Sequence, residues 1–370
     1  MGIPGNCSTS ILPSVFTYDN IKDTMYPVDQ CIEFEKVEKR EYLQWLCCDD
    51  AFFHSVLLTI SAVDDYVLQR PPTDITHHHL RRTLSLLNQR LSEKDAHLVD
   101  STVYIILTLA LMAGVFGDYA AASTHIAGLQ QIVRLRGGVK HLRLNSKLHF
   151  KLDRLDLSWA LSTGQRPRFY TGPISWDAFY RNPPVIIHSD PPPTNKFTHC
   201  FRDRRLAIVF QDLRHLANLI NHHSRNNTRL SGDTFQDAIS SIQFRLLRIK
   251  PNLNNETDET LRLGMLAFLS TTFRVPGRRV PYAYLTKQMQ ASCKTLEPNT
   301  RELKELLTWL IIVGAISVLE PDEPWLRAKW KLAVDPEASW DDISQALQDV
   351  MWISCIHDES GIHAFQKLQS

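Results

Sequence analysis

The sequence has no surplus of either charge, no spaced cysteine pairs and no apolar run long enough for a bilayer. Its 370 residues carry 41 Lys+Arg against 40 Asp+Glu, a balance unlike the basic excess of a dedicated nucleic-acid module. The seven cysteines are odd in number and scattered, which excludes a secreted disulfide framework. No C-x2-C occurs, so the spacing that converges thiolates on a structural zinc is missing. Met1 to Ser14 has no basic start followed by an apolar stretch, unlike a signal peptide. The apolar runs Val103–Phe116 and Leu306–Leu319 are about 14 residues long, short of the roughly 20 a spanning helix needs. Both are expected as helices buried on all sides. G-x-S-x-G, a P-loop and a GxGxxG opening a helix after a strand are likewise absent, so none of these nucleophile or phosphate motifs guides a reading. A soluble protein of a reducing, intracellular compartment is the expectation, with 44% hydrophobic residues enough for a large core.

What is present is helical periodicity. Leu80, Leu84, Leu87 and Leu91 fall on one helix face, with Arg81, Arg82, Asn88 and Gln89 off it. Pro71-Pro72 breaks the chain before this helix, and Asp74 is its candidate cap. A helix from Tyr119 to Arg136, with Ile126, Leu129, Ile132 and Val133 inward, should stop at Gly137-Gly138. Leu148, Leu152, Leu155 and Trp159 mark another over 146–161. Further helices are read over 203–220, 234–249, 259–273, 282–294, 301–319, 325–333 and 339–352, with polar breaks at 221–233 and 251–259. No sustained two-residue alternation marks a strand. Pro183, Pro184, Pro191, Pro192 and Pro193 allow neither helix nor central strand. The expected fold is all-α: a tail over 1–15, then one large multi-helix domain over 16–368. The Pro-rich loop at about 181–199 is a surface loop or a divider between two lobes.

Three aspartate pairs invite comparison with the DDxxD motif of class I terpene cyclases, in which carboxylates one helical turn apart converge on magnesium. Asp49-Asp50, Asp64-Asp65 and Asp341-Asp342 are followed at the fifth position by Phe53, Leu68 and Gln345. They are better read as caps or surface acids at helix starts. His77, His78 and His79 project about 100° apart on a helix and, like His222-His223, are expected in solvent. Cys31, Cys200, Cys293 and Cys355 are expected as buried inert thiols. Trp309, Trp325, Trp330, Trp340 and Trp352 are expected at core and interface positions. Arg166-Pro167-Arg168-Phe169-Tyr170 could clamp an anion, or place cations at a helix C-terminus; Arg278-Arg279 is a second such pair.

The order of landmarks is more specific than any one of them: Gly117-Asp118, His125, Arg136-Gly137-Gly138, Arg154 with Asp156, Gly164 with Pro167, and the late helices LLTWLIIVGAISVLE and SWDDISQALQDVMWI. Over roughly 16–368 this series resembles the fungal-specific transcription factor domain, the regulatory region that follows the binuclear zinc cluster of fungal regulators. The resemblance implies an all-α regulatory domain, a nuclear location and control of RNA polymerase II transcription. The family's six-cysteine cluster has no counterpart here, since Cys7 stands alone and Cys31 follows 24 residues later. Zinc is therefore expected only where such a cluster exists, no other cofactor is expected, and DNA is reached only indirectly or through a missing cluster. The implied partners are other transcription regulators or the transcription machinery, a second copy of the chain as a homodimer, and a small-molecule effector; no membrane is expected. Arg154, Asp156 and Arg166 are the candidate residues of an effector pocket, against the simpler view that Arg154 and Asp156 brace helix ends. The alternative function is an all-α small-molecule-binding protein or a terpene cyclase-like enzyme. No catalytic or metal-ligating residue is assigned.

Overall fold

The computed structural model describes residues 24–34, 36–142, 145–170, 172–180, 196–249, 253, 255–275 and 278–370. The tail, Cys7 and all five prolines between 183 and 193 lie outside them. The fold is all-α. Among the described residues there are fifteen α-helices: α1 (Lys36–Cys48), α2 (Asp50–Val67), α3 (Asp74–Leu91), α4 (Asp100–Val115), α5 (Tyr119–Leu135), α6 (Val139–Leu142), α7 (Ser146–Thr163), α8 (Arg204–Arg225), α9 (Gly232–Ile249), α10 (Glu256–Ser270), α11 (Ala283–Thr295), α12 (Arg301–Ser317), α13 (Pro324–Ala333), α14 (Trp340–Val350) and α15 (Ser354–Gln369). Extended structure among the described residues is limited to two-residue strands and an isolated bridge.

Side-chain chemistry sets many of the helix starts. Asp49, Thr73, Asp118, Asp203, Asn255, Thr300 and Ser339 each accept a hydrogen bond from a backbone N–H of the first turn, satisfying a donor that has no partner within the helix. Asp341-Asp342 behaves as expected: Asp342 completes a capping box with Ser339. The cap of α3 is Thr73 rather than Asp74, which is the first helical residue. At the other end of α5, Gly137 and Gly138 have φ of +87° and +102°. The Gly138 N–H reaches back to Val133 O at 2.8 Å, closing the left-handed stop that only glycine adopts without strain.

Contacts gather the chain into two compact units, described separately. The first comprises residues 1–159 with 168–171 and 273–280; the second comprises 160–167, 172–272 and 281–370. In the first unit α4 runs through the core beside α2 and α5, and none of its sixteen residues is exposed. Val103, Ile105 and Leu107 are wholly buried, each stabilising by about 1.5–3 kcal/mol relative to exposure. Asp49 ties three helices together. It caps α2 through Phe52 N, accepts from Ser101 Oγ of α4 at 2.6 Å and binds Arg90 of α3. Leu91, expected on the inward face of α3, is 43% exposed, because it is the terminal residue of that helix and lies past its last inward turn.

In the second unit α12 is central, touching α10, α11, α13, α14 and α15. Trp309 is wholly buried and donates its indole N–H to Met351 O at 2.7 Å. Trp330 and Trp352 are also buried, whereas Trp325 and Trp340 are half-buried. Asp212 of α8 and Arg245 of α9 form a buried ion pair at 2.7 Å. The same carboxylate accepts the N–H groups of Phe179 and Tyr180. Helix α8 runs five residues past Ile220 into the expected polar break, since polar side chains on a solvent-facing turn do not end a helix. Of the four singled-out cysteines, Cys31 and Cys293 are buried, but Cys200 is half-buried and Cys355 exposed. Among the described residues no single helix is long and apolar enough to cross a membrane; Tyr42–Cys48 of α1 with α2 reaches that composition only as a pair, bent by 102°.

Candidate functional site: a cleft beside helix α7

Helix α7 buries its expected stripe, Leu148, Leu152, Leu155 and Trp159. Between those residues it also carries an unusual load of buried charge: Asp153, Arg154 and Asp156 are all within 2% of full burial. Asp156 accepts the backbone N–H groups of Arg168 (2.6 Å) and Phe169 (3.1 Å), and so acts as an anchor for the strap that follows the helix. Burial pushes its carboxyl up to about 7, against the pull of those N–H donors and of the Arg168 guanidinium. Asp153 lies 3.7 Å from His149 Nε2, and the same imidazole nitrogen meets the Tyr170 hydroxyl. The guanidinium of Arg168 stacks on Trp159 at 5.3 Å. The strap is thus held by backbone bonds to an acid and by a cation on an aromatic face.

The three candidate effector residues have different surroundings. Arg154 is buried with its guanidinium 4.3 Å from the ring centre of Phe273. Asp156, two residues on, holds the strap. Arg166 is exposed and belongs to the second unit. In place of Arg166, Arg168 and Tyr170 are the residues of the basic segment that reach this part of α7. The other pair, Arg278-Arg279, serves α2: Arg278 donates to Tyr66 O at 3.0 Å and stacks on the Tyr66 ring at 4.2 Å, while Tyr66 Oη donates to Arg279 O at 2.8 Å. A cation therefore meets a helix C-terminal carbonyl, where the helix dipole favours it.

A cleft does exist in the first unit, one helical turn before Arg154. Met25, Tyr26, Val63, Leu111, Met112, Val115, Phe273 and Val275 supply its apolar walls, with Thr59, Tyr66, Thr108 and Lys151 among them. Thr59 Oγ1 donates to Ser55 O and Tyr66 Oη to Arg279 O, so both hydroxyl protons are engaged within the protein. Lys151 is the one ammonium of the lining, with Nζ 5.2 Å from the Tyr26 ring centre and 5.1 Å from that of Tyr104, positions where the aromatic faces attract a cation. Such a lining suits a largely apolar molecule with one acceptor or anionic group turned toward Lys151. The sequence held a signal for this residue: Lys151 sits three residues after Leu148 and borders the apolar stripe of α7, an unusual place for a lysine. Phe273, more than a hundred residues away, had none.

The aspartate pairs are engaged elsewhere. Asp49 joins three helices, Asp342 caps α14, and Asp64 is exposed. Asp65 departs from the expected role at a helix start. It is wholly buried near the end of α2 and accepts from Thr73 N (2.8 Å), Thr76 Oγ1 (2.5 Å) and Arg70 Nε (2.6 Å). It clamps the next helix in place. Burial works to raise its pKa, and these donors more than offset that, holding it below the usual carboxylate value. Compared with protein-family models, with curated proteins and with solved structures, the chain matches none.

Proposed function

We propose that this protein is a regulator or coregulator of RNA polymerase II transcription, working in the nucleus through a helical body that binds a small effector and partner regulators. What supports this reading first is the ordered series of landmarks, most of which have a structural task. Asp118 caps α5 and Gly117 takes a φ of +80° before it. Arg136 binds His97 O and Asp100, Gly137-Gly138 ends α5, and Asp156 anchors the strap. Caps and braces of this kind fix a scaffold, and a shared scaffold is what their common order implies. The observation that carries the effector half is the apolar cleft with its single ammonium. An effector seated there would touch α2, α4, α7 and the 273–275 segment together, and so could bias the arrangement of those elements.

The test is transcript profiling of a deletion strain, complemented with either the intact gene or a Lys151→Met variant. A discrete gene set should change on deletion, and Lys151→Met should restore basal expression while losing response to the inducing condition. Unchanged transcripts under every inducing condition would overturn the regulator. A full response from Lys151→Met would remove the cleft from it. The aspartate geometry gives the cyclase alternative no support.

A further inference from the structure

His54 of α2 and His79 of α3 meet nitrogen to nitrogen, Nδ1 to Nδ1 at 3.0 Å, with ring centres 5.3 Å apart. Both are half-buried. The exposed ring of His78 stands beside them, 5.2 Å from His79 and 6.2 Å from His54 between centres. From the sequence, residues 77–79 point in three directions and belong in solvent. That holds for His77, exposed with its Nδ1 turned to Thr73 O, and it fails for His79, whose partner comes from 25 residues earlier. We propose that His54 and His79 form a surface site for a late first-row divalent ion, of the copper, nickel or zinc class, which bridges α2 and α3 and completes its coordination with water.

The geometry carries this. Two imidazole nitrogens bound to one ion at about 2.0–2.1 Å stand roughly 2.9–3.3 Å apart when they occupy neighbouring coordination positions, and the observed separation falls in that interval. Imidazole is a preferred ligand of these ions. Among the described residues no three ligands are gathered ready-made, so two rings provide the fixed part and exchangeable ligands the rest. The fixed part is well held, because the Asp65 clamp on Thr73 and Thr76 sets α3 against α2 one turn before His79. Burial, Arg82 and His78 disfavour charge on His54, while Asp50, one turn earlier, favours it; burial, His54 and His78 disfavour charge on His79. The net direction for both rings is downward, which favours the neutral form whose lone pair a metal ion takes. Without an ion, one ring holds its proton on Nδ1 and donates it to the other. On binding, that proton relocates to Nε2 of the same ring, both Nδ1 atoms turn to the ion, and no proton is lost overall.

The experiment uses the full purified chain and copper(II) or nickel(II) salts as probes. Calorimetric titration should give one equivalent of copper, with nitrogen hyperfine structure in its electron paramagnetic resonance spectrum, and nickel should raise the thermal midpoint. His54→Gln and His79→Gln should each weaken binding by more than about tenfold, the scale on which even outer partners of a metal ligand act, and abolish the nickel shift. His77→Gln should behave as the parent. Circular dichroism of each variant verifies that the helices are intact. Absence of saturable binding up to millimolar copper, or equal binding by the parent and folded His54→Gln, overturns the site.

Discussion

At the scale of single residues, Asp156 has the most to reveal. Its carboxyl titrates near 7 when folded and near the ordinary 3.8 when the chain is unfolded. Between those values the folded protein holds a proton that the unfolded chain has released, so this residue's contribution to stability is full below pH 4 and falls as pH rises through 7. Histidines whose protonation burial disfavours, such as His125 and His215, give the opposite slope, so the measurement must be a difference. Urea midpoints of the parent and of Asp156→Asn, compared at pH 5 and pH 8, should show the parent's advantage shrinking at the higher pH. A constant gap would mean that Asp156 carries its charge throughout the range. The sequence made Asp156 conspicuous, as a pocket residue or a brace of helix ends, without showing what it holds. Its donors are backbone N–H groups of Arg168 and Phe169, which no residue letter advertises.

At the scale of elements, helix existence was legible where large apolar residues repeat. On α8, Leu206, Val209, Phe210, Leu213, Leu216 and Ile220 are all buried as their spacing indicates. It was illegible where the inward face is built of small or polar residues. The buried positions of α15 are Ile356, His357, Gly361, Ala364 and Leu368, which have helical spacing but only two large aliphatic members. Helices α1 and α2 also escaped notice, the latter because aspartates and β-branched residues weaken its local preference. Small residues at such contacts are requirements of packing. A Cβ on Gly264 of α10 would lie 2.2 Å from Leu310 Cδ2 and 2.8 Å from Trp309 Cζ3 of α12. Gly264→Ala gains about 1 kcal/mol of helix propensity and incurs about 1–3 kcal/mol of overpacking. In a core this tight the second effect wins, and urea unfolding should show a net loss of about 1 kcal/mol or more. An unchanged or higher midpoint would show that α10 and α12 can separate slightly at no cost.

At the scale of the molecule, all-α architecture was readable from periodicity alone, while the cleft was not. Its walls come from five separate stretches of chain, which no local pattern brings together. Burial also orders the helices by expected resistance to opening. Amide exchange measured by mass spectrometry should be slow in α4, α10 and α12, in each of which most residues are buried. It should be faster in α3, where Thr76, Thr83 and Leu87 are the buried residues. Comparable exchange in α3 and α4 would show that opening follows something other than burial.

The first unit is not complete until residues 273–280 arrive, because Phe273 and Val275 wall its cleft and Arg278 and Arg279 secure Tyr66. On a ribosome, where chains lengthen by about 5–20 residues per second, the earlier helices wait on the order of ten seconds for that piece. During this interval Tyr66 and the apolar groove beside it lack the cover that residues 273–280 supply. A nascent or prematurely terminated chain ending before Phe273 would carry that groove open, as a handle for quality control.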